Sequence, residues 1–369
     1  MFWYIVICML MLYPLSIVYA GKISERETKS FALGTACTIL CFYMAMRSVS
    51  VGVDTQYYSY VFTQFSKIPW NQVFTAETFA TESQTWVFDF EPGYRLYNKL
   101  ISWFCDSPQV ITVCNSVLIF VLLYHFIKKN SPDYLLSIWL YITLGIYQTQ
   151  MNVTRNAIAI LIVFNALQYM KKKKFFPYLI CCLMAASFHR TALVFIPLYW
   201  LFPQIVWNCN RIIGCVLAFV AMGMLFPIID TLLYAILPDS LSKYLSSSVS
   251  KLESVVVGVF YLMLFVFIYM LMSKRERSCI FMKCSTGTSF FVLNLCCFGL
   301  SFGVGYAARI AALFGPYMII YIPQMIQLIE SPKQKRRTTE LIVLLCGIQY
   351  ILRLCINNIG GTMPYEFFW

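Results

Sequence analysis

The sequence predicts an all-α polytopic membrane protein of about 11–12 transmembrane helices, folded as one integral membrane domain over 1–369. Three observations carry this. Hydrophobic residues make up 60% of the chain and charged residues 12%, with a mean hydropathy of +0.70. Apolar runs of roughly 17 to 25 residues recur along it, the length that a hydrocarbon core about 30 Å thick requires. The basic residues gather in short turns between those runs, where the positive-inside rule places them. That placement accounts for the net charge of +12 and removes nucleic acid as a partner. The fifteen cysteines do not form a disulfide framework, because pairs such as Cys181-Cys182 and Cys296-Cys297 lie inside apolar runs as small core residues.

The first run, Phe2–Tyr19, lacks a basic leader region and is expected to stay as a span. Lys22, Arg26 and Lys29 then mark a cytoplasmic turn, and Phe31–Met46 returns outward. It delivers the longest polar stretch of the chain, 47–108, to the outer face. Six of the sixteen acids lie there: Asp54, Glu77, Glu82, Asp89, Glu91 and Asp106. Asp54 begins a helix whose apolar face is Tyr58, Val61, Phe62 and Phe65, and Pro69-Trp70 breaks it. Glu91-Pro92 begins a second, since proline suits the first helical turn, with Tyr97, Leu100, Ile101 and Phe104 as its expected buried face. Both are expected as amphipathic pieces on the membrane surface.

Val110–Ile127 comes back in to Lys128-Lys129, beside the solvated His125, and Tyr134–Tyr147 goes out to a polar knot, Gln148, Gln150, Asn152, Thr154, Arg155 and Asn156. Ala157–Met170 runs in to Lys171–Lys174. Phe175–Phe202 has the length of one span, but parity favours a hairpin of two short helices with His189-Arg190 at its outer tip. Only then do Lys274-Arg275-Arg277 and Lys333-Lys335-Arg336-Arg337 both face the cytoplasm. Such helices persist only when packed inside protein. The remaining spans are Ile212–Leu233, Val255–Met272, Ser289–Gly305, Ile310–Ile329 and Leu341–Ile356, with a serine-rich outer loop at Pro238–Glu253 and an outer tail from Asn357.

This topology collects Arg47, Asp54, Glu91, Arg155, His189, Arg190 and Arg309 on one face. Each alone is readily an interfacial anchor, and Asp54 or Glu91 a helix cap. Asn152-x-x-Arg155 stands apart: an outward arginine within a polar knot runs against the charge bias, and a guanidinium fork there can hold a phosphate by parallel hydrogen bonds. Tyrosines near the loop, Tyr58 and Tyr94 among them, are candidates to contact sugar rings, although most aromatics belong to interface belts. The sequence carries no glycine-rich phosphate loop, zinc-protease motif or nucleophile elbow, and no paired-cysteine metal site, so no cofactor or metal is expected.

Arg47…Gly52-x-Asp54-Thr55-x-x-Tyr58, Glu91-x-Gly93-Tyr94, Asn152-x-x-Arg155-x-x-Ile158-Ala159, Phe188-His189-x-Thr191-Ala192 and Pro364-Tyr365-x-Phe367-Phe368 follow one another in that order. In these motifs the chain resembles the EpsG family of bacterial exopolysaccharide proteins, which is similar to the Wzy polymerases. It departs mildly where Val53, Asn156 and Thr191 replace the usual threonine, glutamine and serine. The resemblance implies a GT-C-like fold in the bacterial cytoplasmic (inner) membrane. It implies glycosyl transfer from an undecaprenyl-diphosphate-linked oligosaccharide to another lipid-linked unit, with membrane lipid and other polysaccharide-assembly proteins as partners. Such a reaction needs arginines for the leaving diphosphate (Arg47, Arg155, Arg190 and Arg309, with Asn152) and a base for the acceptor hydroxyl. Asp54, Glu91 and His189 are the three candidates, with Asp54 placed ahead of Glu91. A flippase or transporter of lipid-linked sugars, a membrane acyltransferase using His189 and a structural scaffold are the rival readings. The first lacks a polar path or repeat symmetry, and the second rests on one histidine.

Overall fold

The computed structural model of the 369-residue chain describes residues 25–74, 90–233 and 251–369. The first expected span, the loop acids Glu77, Glu82 and Asp89, and most of the serine-rich loop lie outside the described residues. Every regular element described is helical, and the only extended pairing among the described residues is one antiparallel bridge, Arg47 to Phe367. The chain forms two compact units, one of residues up to Tyr199 together with Gly347–Trp369, the other of Trp200–Cys346.

In the first unit α1 (Glu25–Ala45) packs on α4 (Gln109–Asn130), α4 on α7 (Thr154–Lys171), and α7 on α8 (Phe175–Phe188). Helix α7 is buried on almost every side, from Ala157 through Phe164 to Met170. Protein rather than lipid surrounds it, so it tolerates Asn165, whose amide donates to Leu122 O and Leu161 O at 3.0 and 2.8 Å. The expected span Tyr134–Tyr147 is not continuous: it breaks at Gly145 (φ +76°) into α5 (Tyr134–Thr143) and α6 (Ile146–Asn152).

The loop helices form where the sequence places them. Helix α2 (Thr55–Lys67) buries Tyr58, Val61, Phe62 and Phe65 and stops before Pro69. Helix α3 (Pro92–Ser102) starts behind Glu91 with Pro92 in its first turn, but its buried face differs from the expected one. Tyr94, Asn98 and Lys99 point inward, whereas Leu100 is 42% and Phe104 86% exposed. The reason is partner choice: α3 packs on α2, α4 and α8, and the stripe through Tyr94 meets all three, against Tyr58, Asn115 and Phe188.

The segment from Phe175 turns back on itself. Helix α8 ends at Phe188, His189 is extended (φ −155°), and a 3₁₀ turn covers Arg190–Phe195. The chain then returns far enough for Tyr178 to donate to Phe195 O at 2.8 Å and for the Tyr199 ring to lie 5.2 Å from Phe175.

The second unit is organised around α13 (Ser285–Leu300), which contacts α10 (Cys209–Leu233), α11 (Lys251–Leu271), α14 (Gly305–Phe314) and α15 (Met318–Gln327). Trp207 Nε1 donates to Ser289 at 2.8 Å, Asn294 donates to Ala311 O at 2.8 Å, and Phe290 stacks on Tyr317 at 4.5 Å. The basic turn after α11 forms α12 (Lys274–Lys283), started by a Ser273–Glu276 capping box and bent 86° from α13. The short α9 (Leu198–Gln204) leads into this unit, and α16 (Pro332–Asn357) leads out of it.

Four helical segments among the described residues are long and apolar enough to cross a membrane: Gln109–Asn130, Cys209–Phe226, Tyr306–Gln327 and Pro332–Ile356. The bent pair α12–α13 is apolar enough only when its two helices are taken together, and makes a fifth if they form one broken span. This suits a polytopic membrane protein. Among the described residues, the other expected spans form helices that are shorter or carry more polar residues, as α7 does inside its unit.

Candidate active site at the loop and the hairpin tip

Nine of the ten residues singled out above belong to the first unit; Arg309 belongs to the second, exposed on α14 with its guanidinium 5.8 Å from the Tyr306 ring.

Arg47 is turned inward and is 1% exposed. Its guanidinium donates to Met44 O, to Met151 O at 2.9 Å and to the Thr55 hydroxyl at 3.3 Å. Burial draws its pKa down to about 10, so it remains a cation held by carbonyls. It ties the loop to the helices below and offers no N–H to a ligand at the surface. Just beyond it Gly52 has φ +92°, and a side chain there would meet Asn152 Oδ1 and Thr55 Oγ1 at 2.7 and 2.9 Å. Glycine is required on both counts. Asn152 in turn donates to Gly360 O at 2.7 Å, and Gly52 N–H donates to Gly361 O at 3.0 Å. Asn152 therefore joins the loop to the tail.

Asp54 stands half-buried at the N-cap position of α2, where its side chain makes no capping hydrogen bond. Next to it on the helix, the Tyr58 hydroxyl lies against the Arg155 guanidinium and Thr154. Tyr58 and Tyr94 are both buried in an aromatic core with Phe90, and Tyr94 accepts from Asn115 at 2.9 Å. These two rings pack the site from behind and present no face for stacking on a sugar.

Arg155 opens α7 and meets Glu91, which stands before α3. Arg155 Nη1 donates to Glu91 Oε2 at 2.5 Å, and the other carboxylate oxygen accepts from the Arg190 backbone N–H at 3.0 Å. The guanidinium also lies 3.9 Å above the Phe90 ring, a cation–π contact in a mostly desolvated place. One acid thus fastens three elements: the loop, α7 and the hairpin tip.

At that tip, His189 Nδ1 accepts from Thr191 N–H at 3.4 Å and lies 2.9 Å from the Thr191 hydroxyl. The same hydroxyl donates to Asn156 Oδ1 at 3.3 Å. Burial, with the Arg155 and Arg190 cations beside it, pulls His189 down to about 4 against the opposing pull of Glu91. The imidazole is neutral at neutral pH.

Phe90, Asn156, Thr191 and the Gly360-Gly361 pair enter the site without having been singled out for it. Asn156 stood in the polar knot and Thr191 in a motif, but only the hairpin brings them within reach of each other. Among the described residues no cluster of histidine, cysteine and acidic side chains is arranged to hold a metal. Chemically, the site offers two cations, a clamped carboxylate, a second acid and a neutral imidazole around one junction.

No curated protein and no solved structure matches the chain. A family model described as the EpsG family matches residues 30–367. The loop, the Arg155 helix, the hairpin and the tail through Phe367 all fall within that match, and the chain belongs to the EpsG family.

Proposed function

We propose that this membrane protein is a polysaccharide polymerase that transfers a glycan from an undecaprenyl-diphosphate-linked donor to the sugar end of another lipid-linked unit, on the outer face of the cytoplasmic membrane. Family membership and the membrane-capable helices support the polymerase reading. The observation that carries the site assignment is the convergence of Arg155, Arg190, Glu91, His189 and Asp54 where α2, α3, α7 and α8 meet. In the reaction the acceptor hydroxyl loses its proton to a base and its oxygen bonds to the anomeric carbon. The bond from that carbon to the diphosphate breaks, with its electron pair staying on phosphate. Direct displacement inverts the anomeric centre.

Both oxygens of Glu91 are engaged, so its part is to hold Arg155 and the hairpin. His189, pulled down to about 4, has lost the advantage in basicity that an imidazole ordinarily holds over a carboxylate. Asp54 is left as the proton acceptor, and Arg155 with Arg190 as the cations nearest the departing diphosphate. The GT-C-like architecture belongs to the same proposal.

The test is the lipid-linked glycan profile of a deletion strain, followed by polymer formation from a purified lipid-linked repeat unit in membranes. Single repeat units should accumulate outside the membrane in the deletion strain, and Asp54→Asn should lower polymer formation about a hundred-fold or more. Repeat units trapped inside the membrane would mean a flippase. Full-length polymer lacking acyl groups would mean an acyltransferase.

A further inference from the structure

His189 is fixed by groups that dictate which ring nitrogen carries its proton. The Thr191 backbone N–H points at Nδ1, 3.4 Å away. A backbone hydrogen cannot turn aside, so Nδ1 must present a lone pair to it. The Thr191 hydroxyl hydrogen can turn, and it is shared between Nδ1 at 2.9 Å and Asn156 Oδ1 at 3.3 Å. The opposite polarity, with Nδ1–H donating to the hydroxyl, would set two hydrogens against each other at Nδ1. A neutral imidazole with a lone pair on Nδ1 carries its hydrogen on Nε2. Among the described residues nothing accepts from Nε2. The charged groups facing the ring are Glu91 from the start of α3, Arg155 from α7 and Arg190 from the tip itself.

We propose that His189 acts as a neutral hydrogen-bond donor, offering Nε2–H to an anionic oxygen of the bound substrate, with Thr191 and Asn156 as the positioning residues that set this tautomer. The identity of that oxygen rests on the polymerase reading, in which it belongs to the leaving diphosphate. As the sugar–phosphate bond lengthens, the bonding pair collects on phosphate oxygen, and a fixed donor stabilises it without giving up its proton. The proton of the acceptor hydroxyl goes to Asp54, so His189 ends the step as it began. A base role would need a lone pair on Nε2, which this tautomer lacks. The lone pair on Nδ1 is turned toward Thr191.

The chain has two histidines, so ring-¹⁵N-labelled protein in lipid nanodiscs gives two sets of resonances, and His125→Gln assigns them. The expected result is a protonated Nε2 and a bare Nδ1 at position 189 throughout about pH 5.5 to 8. A protonated Nδ1 with a bare Nε2, or titration near the ordinary value of about 6.5, overturns the proposal. Thr191→Ser should keep the Nε2–H form, and Thr191→Val should raise the share of Nδ1–H. No change in Thr191→Val would remove the positioning role. In the polymer assay His189→Gln, whose amide N–H reaches the Nε2 place, should stay within about ten-fold of the parent. His189→Asn, which reaches only the Nδ1 place, should fall about a hundred-fold or more. Equal losses in both overturn the donor role. Inorganic diphosphate should shift the Nε2 resonance, and its failure to do so also counts against it. A parent protein that makes no polymer sinks the polymerase reading, while the resonances still decide the tautomer.

Discussion

Arg155 is held from three directions: a carboxylate at 2.5 Å, an aromatic face at 3.9 Å and a phenol hydroxyl. A lysine keeps the charge but cannot point separate N–H groups at Glu91 and Tyr58 while lying flat on Phe90. Arg155→Lys should therefore lower polymer formation by about ten-fold or more at equal protein level. Parental activity in that variant would reduce Arg155 to an anchor. His189 gives a second expectation, of stability rather than activity. Its pKa is depressed to about 4 in the folded protein, against about 6.5 in an unfolded chain. Between those values the unfolded chain binds more protons, so stability rises with pH across that window and is lost as pH falls through it. Thermal unfolding in detergent should show the parent losing more stability than His189→Gln between about pH 7 and 4.5. Parallel curves would mean that His189 titrates normally.

Two elements carry the site without touching chemistry. Helix α3 reaches α8 at Gly93, where an added Cβ would lie 2.8 Å from the Ser187 carbonyl oxygen. Backbone cannot retreat as a flexible side chain can, so Gly93→Ala should push α3 outward and cost about 1–3 kcal/mol. Because Glu91 stands two residues before that contact, loss of polymer formation should accompany the drop in melting temperature; an unchanged melting temperature would contradict the tight crossing. The tail is the other element. Asn358 and Met363 bond reciprocally at 2.6 and 2.9 Å, Ser48 N–H donates to Glu366 O at 2.8 Å, and Tyr365 donates to Tyr43 O at 2.6 Å. With Gly360 on Asn152, these contacts close the tail over the segment that leads to Asp54. Ending the chain at Asn357 should speed labelling of Val51→Cys, a buried position, in detergent by about ten-fold or more, since local opening then costs less. Labelling at the parental rate would show that the tail does not clasp the loop.

At the scale of the whole molecule, the basic turns set the expectation. With Phe175–Tyr199 folded back on itself, Lys171–Lys174, Lys274–Arg277 and Lys333–Arg337 should all face the cytoplasm. Single cysteines at these turns, in a cysteine-free background, should resist an impermeant reagent applied to intact cells, whereas a cysteine at Arg190 should react. Labelling at Lys274 from outside would overturn this arrangement. Arg309, alone among the predicted site residues, belongs to the second unit.

Local chemistry was legible in the sequence because its signals are local. A 3.6-residue apolar repeat marked the buried face of α2, and a proline behind an acid marked the start of α3. Counting basic turns was enough to favour a hairpin at His189, and five ordered motifs pointed to the family that the 338-residue-long stretch 30–367 matches. Which face of α3 is buried was not legible, because a helix with apolar residues on two sides is decided by its neighbours, here α2, α4 and α8. Nor was the division of labour among the arginines. Arg47 and Arg155 are alike in sequence, yet one is absorbed by backbone carbonyls and the other meets a carboxylate 64 residues away. The tautomer of His189 likewise depends on where a backbone N–H points and on Asn156, brought to Thr191 across 35 residues. Composition and periodicity fix what a segment can become; hydrogen-bond partners distant in the chain, chosen only when helices pack, decide what each charged group is left free to do.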